Sequence, residues 1–184
     1  MDATLAAPDA RTRILDAVEH IVIAKGVPGL TLEAAAREAG VSKGGLLYHF
    51  GSKEALLAGA LNRLATHVEA DYGRVWEATP EGPQRATRAL LNWTFEHPDA
   101  VCAQHDRAGA IFLAAHHHDT ALLEPIRAVF LRIRDRMRAD ALRPGAALAI
   151  MAASDGLFMA RLFRMCEPTA AELPDIRAAL ESLL

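Results

Sequence analysis

The amino-acid sequence predicts an all-α protein of about nine helices, a three-helix N-terminal domain followed by a larger helical domain. Apolar residues recur at helical spacing along the 184-residue chain. Proline and glycine cluster between the helical segments, where they act as breaks. No segment has the alternation or the run of β-branched residues that would indicate a competing sheet.

The first predicted helix runs from Ala10 to about Lys25. Asp9 precedes it as a potential N-cap, and Gly26 follows it at the position where helices commonly end. Its apolar residues share one face at helical spacing and are predicted to be buried. These residues are Ile14, Leu15, Val18, Ile21 and Val22. Residues 1–8 are predicted to be a disordered arm.

Two short helices joined by a tight turn are predicted between Thr31 and Phe50. Thr31 can cap the first helix, and Gly40 ends it because glycine tolerates the left-handed backbone required there. Ser42 can cap the second helix, which opens with Lys43-Gly44-Gly45. Two glycines inside a helix cost roughly 1 kcal/mol each relative to alanine. Their use here is that a partner can approach a backbone without side chains closely.

This arrangement is a helix-turn-helix, a device that places its second helix in the DNA major groove. Leu46 and Phe50 are four residues apart and fall on the inward face of that helix. Tyr48 and His49 then point outward, where both side chains can donate hydrogen bonds to phosphate oxygens.

The string from Gly40 to Phe50, followed by Ser52-Lys53-Glu54, resembles the DNA-binding domain of the tetracycline-repressor (TetR) family of bacterial regulators. The resemblance extends from about Arg11 to Leu61 and implies double-stranded DNA as a partner. The implied DNA-binding residues are Thr31, Ser42, Lys43, Gly44, Gly45, Tyr48, His49 and Lys53. Leu47 departs from the family pattern, because many members carry an aromatic residue there.

These residues also have simpler interpretations. Thr31, Ser42 and Ser52 can be helix caps and nothing more, and His49 can be an ordinary surface histidine. The net charge of −3 gives no independent support, since DNA-binding domains are commonly basic. The local exception is the stretch from Ala39 to Lys53, which contains two lysines and no acid. We therefore expect a moderate salt dependence of DNA binding.

The pattern stays helical beyond this segment. Helices are predicted at 53–77, 83–96, 99–118, 120–141, 144–166 and 171–184. The breaks are marked by Thr79-Pro80, Gly82-Pro83, His97-Pro98, Pro144-Gly145 and Pro168. The predicted domains are a DNA-binding domain at 9–52 and an effector-binding and dimerisation domain at 53–184.

The segment Ala146–Met165 is apolar almost all round, so a helix there must be buried on several sides. Its small residues, which permit close approach of another helix, are Ala149, Ala152, Ala153 and Gly156. In the TetR family the last two long helices pair with their copies in a dimer. The resemblance therefore implies a homodimer that binds a palindromic operator through two recognition helices.

Bulky residues on the middle helices predict an apolar effector pocket with a few polar groups. The predicted ligand-binding residues are Trp76, Trp93, Phe112, His116, Phe130, Met151, Asp155, Phe158 and Met159. Aromatic residues at this spacing are more commonly plain core, and Asp155 can instead pair with an arginine such as Arg161. The run Ser154–Phe158 resembles a TetR subgroup that includes drug-responsive repressors. That resemblance implies an apolar or aromatic effector, with cationic drugs as one class.

Metal binding, cofactors and catalysis are not predicted. His116-His117-His118 cannot bind one ion from a regular helix, because three successive residues span about 200° of its circumference. Cys102 and Cys166 do not make a disulfide framework. The chain has no phosphate-binding glycine loop, nucleophile elbow or zinc-protease motif, so it is not expected to be an enzyme.

The N-terminus has no apolar run with a basic flank, and no apolar stretch of eighteen residues lacks charge. We therefore expect neither a signal peptide nor a membrane span, and a cytoplasmic location. The predicted function is transcriptional repression, relieved when a small-molecule effector releases the operator, in control of efflux or detoxification. The alternatives are a ligand-responsive activator or regulator of metabolism, and a helical binding or structural protein without sequence-specific DNA recognition.

Overall fold

The computed structural model describes residues 9–95 and 109–184, except residues 110, 114, 117 and 164. Eight α-helices have defined bounds in this part of the chain. They are α1 Ala10–Lys25, α2 Leu32–Glu38, α3 Lys43–His49, α4 Lys53–Ala78, α5 Arg85–Phe95, α6 Glu124–Arg138, α7 Ala146–Phe163 and α8 Leu173–Glu181. The described residues between 109 and 118 are also helical. The predicted all-α class with about nine helices is confirmed.

The predicted boundaries hold best where a cap was identified. Asp9 caps α1, its Oδ1 accepting a hydrogen bond from the Thr12 N–H at 2.7 Å.

The helix predicted at 120–141 is wrong at both ends. Thr120–Leu123 forms a 3₁₀ turn, and α6 begins only at Glu124 and ends at Arg138. Asp119 causes the separate turn, because its carboxylate accepts from the Ala121 N–H at 2.8 Å.

Other boundaries differ less. Helix α8 is shorter than the predicted 171–184, and α7 lies inside the predicted 144–166. The helix predicted at 99–118 and the predicted arm at 1–8 fall mostly or wholly outside the described residues.

The chain forms two compact units. The first comprises the described residues within 1–64 and 107–125, and the second those within 65–106 and 126–184. The division falls inside α4, which runs without interruption for 26 residues. The functional domains predicted at 9–52 and 53–184 are a different division and stay a prediction.

In the first unit, α1, α2 and α3 pack on one another around an apolar core. Every predicted apolar residue of α1 is buried there. The largest fully buried side chains of this unit are Ile14, Leu15, Leu30, Leu46, Leu56, Leu57, Leu61, Ile111 and Val18. Burial of these side chains is the main source of stability for helices as short as α2 and α3.

The end of α3 approaches α4 closely at Gly59. A Cβ atom at this position would lie 2.6 Å from Cε1 of Phe50 and 3.1 Å from Cδ2 of Leu15. The Phe50 side chain is only 5% exposed, so its ring has little room to move away. Glycine at position 59 is therefore required by packing, although its helical backbone needs no special conformation.

A partly buried arginine ties α4 to α1. The Arg63 Nη1 lies 2.6 Å from Oδ1 of Asp16, and its Nε donates to Oε1 of Glu19 at 2.9 Å. The Arg63 side chain is 16% exposed, so removing both carboxylates would leave its charge unpaired and poorly solvated.

The second unit is held together partly by a long-range helix cap. The N–H of Thr87, in the first turn of α5, donates to Oδ2 of Asp140 at 2.7 Å, and the Thr87 hydroxyl donates to the same oxygen at 2.7 Å. Asp140 follows α6, so this carboxylate joins the end of one helix to the start of another. A carboxylate at a helix N-terminus also interacts favourably with the helix dipole. Helix α5 packs in turn on α7 and α8.

We expect Gly59→Ala to destabilise the protein by about 1–3 kcal/mol, the usual effect of adding a methyl group to a packed contact. Denaturant unfolding followed by circular dichroism measures this change. Gly73→Ala is the matched control on the same helix, because a Cβ there meets no atom within 4 Å. It should stabilise α4 by about 0.5–1 kcal/mol. Equal effects of the two variants would disprove the packing role of Gly59.

Candidate nucleic-acid interface

The turn between α2 and α3 is built from local hydrogen bonds. Gly40 has a left-handed φ of 63°. Its N–H donates to the Arg37 carbonyl at 3.2 Å, and the Val41 N–H donates to the Ala36 carbonyl at 3.0 Å. These two bonds form a Schellman motif, which satisfies the last carbonyls of α2. The predicted role of Gly40 in ending α2 is confirmed.

Side-chain caps hold the starts of the three helices around this turn. The hydroxyl of Thr31 accepts from the Ala34 N–H at 3.0 Å, and that of Ser42 accepts from the Gly45 N–H at 3.0 Å. Ser52 caps α4 in the same way, by accepting from Ala55 at 3.1 Å. The capping interpretation of these residues is therefore confirmed, and a role in DNA contact stays a prediction.

Helix α3 has one buried face and one exposed face, as predicted. Leu46 and Phe50 are buried, whereas Tyr48 is 85% exposed. The Tyr48 ring meets the His49 ring edge to face, with centroids 5.0 Å apart. Leu47, which departs from the TetR pattern, is 43% exposed. An exposed tyrosine beside an exposed histidine gives this face two hydrogen-bonding rings directed to solvent.

The predicted DNA-binding residues differ in exposure. Gly45 and Lys53 are half-buried, and the rest are exposed, namely Thr31, Ser42, Lys43, Gly44, Tyr48 and His49.

The two glycines of α3 are not equivalent. A Cβ at Gly45 would lie 3.2 Å from Oγ of Ser42, the atom that caps the helix. A Cβ at Gly44 would meet nothing within 4 Å. The protein itself therefore explains the glycine at 45, but within the described residues no contact explains the glycine at 44. A partner that approaches the backbone of α3 would explain it.

The two lysines of this face both have partners within the protein. The Lys43 Nζ lies 2.7 Å from Oε1 of Glu33, in the first turn of α2. The Lys53 Nζ donates to the Val27 carbonyl at 2.6 Å. The hydrogen bond from Lys43 holds the pKa of the Glu33 carboxyl below its ordinary value. The sequence analysis missed both partners, because they lie ten and 26 residues away along the chain.

The predicted effector-binding residues Trp76, Trp93 and Phe130 come together in the second unit. Tyr72 joins Trp76 and Trp93, with ring centroids 6.4 Å and 5.9 Å apart. The Trp93 and Phe130 centroids are 6.5 Å apart. We call these four residues the aromatic cluster. Tyr72 was absent from the predicted ligand-binding set, and its burial raises the pKa of its phenol to about 12.

Two arginines lie over the Trp76 ring. The Cζ of Arg85 is 4.6 Å from the ring centroid, and that of Arg136 is 4.8 Å away. Both distances are within the range of cation–π attraction. The aromatic cluster therefore already stabilises positive charge at one of its rings.

The remaining predicted ligand-binding residues are more scattered. Met151 is buried on α7, and Phe158 and Met159 are half-buried there. Asp155 is exposed, yet the protein around its carboxyl raises the pKa by removing water. Phe112, half-buried, and His116, exposed, belong to the first unit.

A cavity of about 490 Å³ lies in the second unit, near the start of α5 and the end of α8. Its polar walls include Arg85, Arg88 and Arg177, and its lining contains none of the predicted ligand-binding residues.

The histidine run does not assemble a metal site within the described part of the chain. His116 is exposed, and His118 lies 3.7 Å from Oε1 of Glu54, while His117 is outside the described residues. No group of three histidine, cysteine or acidic side chains among the described residues could hold an ion. Cys166 is a free, exposed thiol, and Cys102 lies outside the described residues.

Helix α7 is less buried than the sequence predicted, since it was expected to be buried on several sides and is buried mainly along one. Its 18 residues are long and apolar enough to cross a membrane by length and composition, and 17% of them are buried. The helix nevertheless carries Asp155 and Arg161. A single helix of this kind is weak evidence for a membrane span, since helices of soluble proteins can pass the same test.

Two family profiles match the chain. Residues 14–60 match the profile described as bacterial regulatory proteins, tetR family. Residues 84–184, more than half of the chain, match the profile described as tetracyclin repressor-like, C-terminal domain.

Curated relatives match less than half of this chain. An uncharacterised helix-turn-helix transcriptional regulator, TtgW of Pseudomonas putida, is 40% identical over 78 residues, which are 39% of this chain and 58% of that protein. The regulator SrpR of Pseudomonas putida is 38% identical over 78 residues, 39% of this chain and 37% of that protein. The matched region thus spans about half the length of these relatives or less.

Solved structures match nearly the whole chain. The multidrug binding protein EbrR, crystallised with malachite green, is 26% identical with a TM-score of 0.68, and the match covers 96% of this chain and 99% of that one. A transcriptional regulator from Pseudomonas aeruginosa PAO1 has a TM-score of 0.74 over 94% of this chain and 88% of that one. Its 20% identity shows the shared fold alone.

We expect Gly44→Ala to preserve or raise stability by up to about 1 kcal/mol, because alanine is the better helix former and its Cβ meets open space. The same methyl group should weaken DNA binding on the order of tenfold, by keeping the α3 backbone from the groove. Thermal unfolding and fluorescence anisotropy with labelled operator measure the two effects. Gly73→Ala is the control for added helix stability. Unchanged DNA affinity of Gly44→Ala would show that α3 does not meet DNA at this residue.

Proposed function

Since the chain belongs to the TetR family of bacterial helix-turn-helix transcriptional regulators, we propose that it is a homodimeric repressor released from its operator by a small-molecule effector. The observation that best supports DNA binding is the exposed face of α3. Caps at Thr31, Ser42 and Ser52 fix the helices around it, and it presents the exposed Tyr48 and the open backbone of Gly44. Membership of this family makes the chain a regulator and not an enzyme, as the sequence predicted.

The proposed dimer uses the exposed face of α7. Leu148 and Phe163 are 49% and 47% exposed, and the small residues Ala152 and Gly156 between them are exposed as well. These four positions follow helical spacing and form one stripe. A second copy of α7 would cover it in a two-fold symmetric contact. A lipid bilayer is the poorer occupant, because Asp155 lies on the same side of the helix.

The proposed effector site is the aromatic cluster. Its rings offer apolar area together with attraction for a cation. Because Arg85 and Arg136 already lie over Trp76, the proposed contacts of a cationic effector are with Tyr72, Trp93 and Phe130. EbrR has been crystallised with malachite green and with ethidium. Both dyes are aromatic cations. We therefore propose an aromatic, cationic effector and control of efflux or detoxification by a cytoplasmic regulator.

Helix α4 is the proposed carrier of the signal. At 1.5 Å per residue its 26 residues extend over about 39 Å. It begins beside α3 at Lys53 and later supplies Tyr72 and Trp76 to the aromatic cluster. An effector that prefers a shifted α4 would displace α3, with a coupling free energy of typically 1–3 kcal/mol.

Genome-wide operator mapping with the purified protein tests this function. A repressor should protect sites that overlap promoters, as two half-sites about 34–36 Å apart. Sites upstream of promoters would instead support the activator. Tyr48→Ala should abolish the protection, and sequence-independent binding by the wild type would support the helical binding protein without operator recognition.

We expect Ala152→Glu to break the dimer, because it adds a bulky carboxylate from each copy to a contact of small residues that already contains Asp155. Light scattering at micromolar concentration should then report a monomer. Operator affinity should fall on the order of 100-fold or more, since the two N-terminal DNA-binding domains of the dimer, the heads, no longer bind together. Ala70→Glu, an exposed position on α4, makes the same chemical change away from this face. A dimeric Ala152→Glu protein would place the interface elsewhere.

We expect malachite green to quench tryptophan fluorescence and to release operator DNA. Trp93→Leu should weaken dye binding on the order of tenfold by removing the central ring of the cluster. Leu131→Ala, at an exposed position beside Phe130, is the control. Reciprocity requires operator DNA to weaken dye binding by the factor by which the dye weakens operator binding. Release of DNA without this reciprocity would contradict the mechanism.

A further inference from the structure

On the surface proposed to face DNA, the Lys43 ammonium is already paired with a carboxylate of the protein, that of Glu33. Glu33 begins α2 and Lys43 begins α3, and their charged groups meet at 2.7 Å across the helix-turn-helix. Both side chains are 62% exposed, so water, ions and a phosphate can reach the pair. The neighbouring cation Lys53 is engaged differently, since it is half-buried against the Val27 carbonyl.

A DNA phosphate and the Glu33 carboxylate compete for the same hydrogen-bond donor, the Lys43 ammonium. The Lys43 ammonium can reach a phosphate only by sharing or leaving Glu33, and the carboxylate repels any phosphate that approaches it. An exposed ion pair is weak, so DNA can displace it at a small cost. This cost applies to every DNA sequence alike, because phosphates carry no base information.

The cost lowers the affinity for operator and for non-operator DNA by the same factor, because both complexes contain the same phosphates. Non-specific binding is essentially all electrostatic, whereas operator binding adds base contacts and groove fit. On a chain whose net charge is −3, one paired lysine is a substantial fraction of the local positive charge. Removing the Glu33 carboxylate should therefore raise the affinity for operator and for non-operator DNA by a similar factor.

We propose that Glu33 limits the DNA affinity of this surface, because it holds Lys43 in an ion pair and thereby weakens the phosphate contacts made with operator and non-operator DNA alike. The inference rests on the proposed operator-binding function. Glu38, on the same helix, offers a matched control, because its carboxylate pairs with His20 at 2.6 Å and not with a lysine of α3.

The test compares Glu33→Gln, Glu33→Ala, Glu38→Gln, Lys43→Met and the double variant Glu33→Ala/Lys43→Met. Binding to operator and to a scrambled duplex of equal length is measured by fluorescence anisotropy over a range of salt. Glu33→Ala should raise affinity for the operator and for the scrambled duplex alike, roughly two- to fivefold per head. Its salt slope should steepen by about one per head, as one more phosphate contact requires.

Glu33→Ala is included because the amide of Glu33→Gln can still accept a hydrogen bond from Lys43. The increase should be smaller in Glu33→Gln and should disappear in the double variant, since it acts through Lys43. An equal increase with Lys43→Met present, or an equal increase in Glu38→Gln, would show a general charge effect and overturn the proposal. Wild-type binding to the operator with no effect of Glu33→Ala overturns this inference alone. A wild type that does not prefer the operator overturns the proposed function as well.

Discussion

The contact between the Phe50 ring and the Gly59 backbone sets the position of the recognition helix. Helix α3 has only seven residues, too few to be stable in water without tertiary packing. Its buried residues Leu46 and Phe50 supply that packing, and Gly59 lets the Phe50 ring come close to α4. The recognition helix and the start of α4 are thereby held as one body. A displacement of α4 would carry α3 with it, which is the physical basis of the proposed signal.

The face that α3 presents depends on geometry more than on charge. Both of its lysines bind acceptors inside the protein, and the chain as a whole is acidic. The DNA contacts proposed for it are an exposed tyrosine, an exposed histidine and the open backbone at Gly44. Few phosphates can then be contacted by one head, so the proposed dimer supplies the affinity that a single head lacks.

Apolar residues form two different features in the second unit, the aromatic cluster and the exposed stripe on α7. The aromatic cluster brings Tyr72, Trp93 and Phe130 together, with Tyr72 buried and the other two half-buried. The exposed stripe on α7 has no described side chains over it. The first arrangement suits a small ligand and the second suits another helix. Sequence pattern alone could not distinguish them, because both appear as bulky or small apolar residues at helical spacing.

Local interactions could be predicted from the sequence. Caps such as Asp9, Thr31 and Ser42 bond within three residues, and the inward face of α3 follows from helical periodicity. The exposed and buried sides of the recognition helix could therefore be predicted from residues within about one helical turn of each other. The 3₁₀ turn at 120–123 was missed although its cap is also local, because periodicity does not reveal where a helix restarts.

Tertiary structure decided which distant groups meet. The pairs Glu33–Lys43 and Lys53–Val27, the cap of α5 by Asp140 and the need for glycine at 59 all join residues that are far apart in sequence. Helical spacing shows the face on which a residue lies but not the partner that lies opposite. That partner depends on the path of the chain. The sequence by itself thus determined a helix-turn-helix protein, and only the fold showed that its lysines are already engaged.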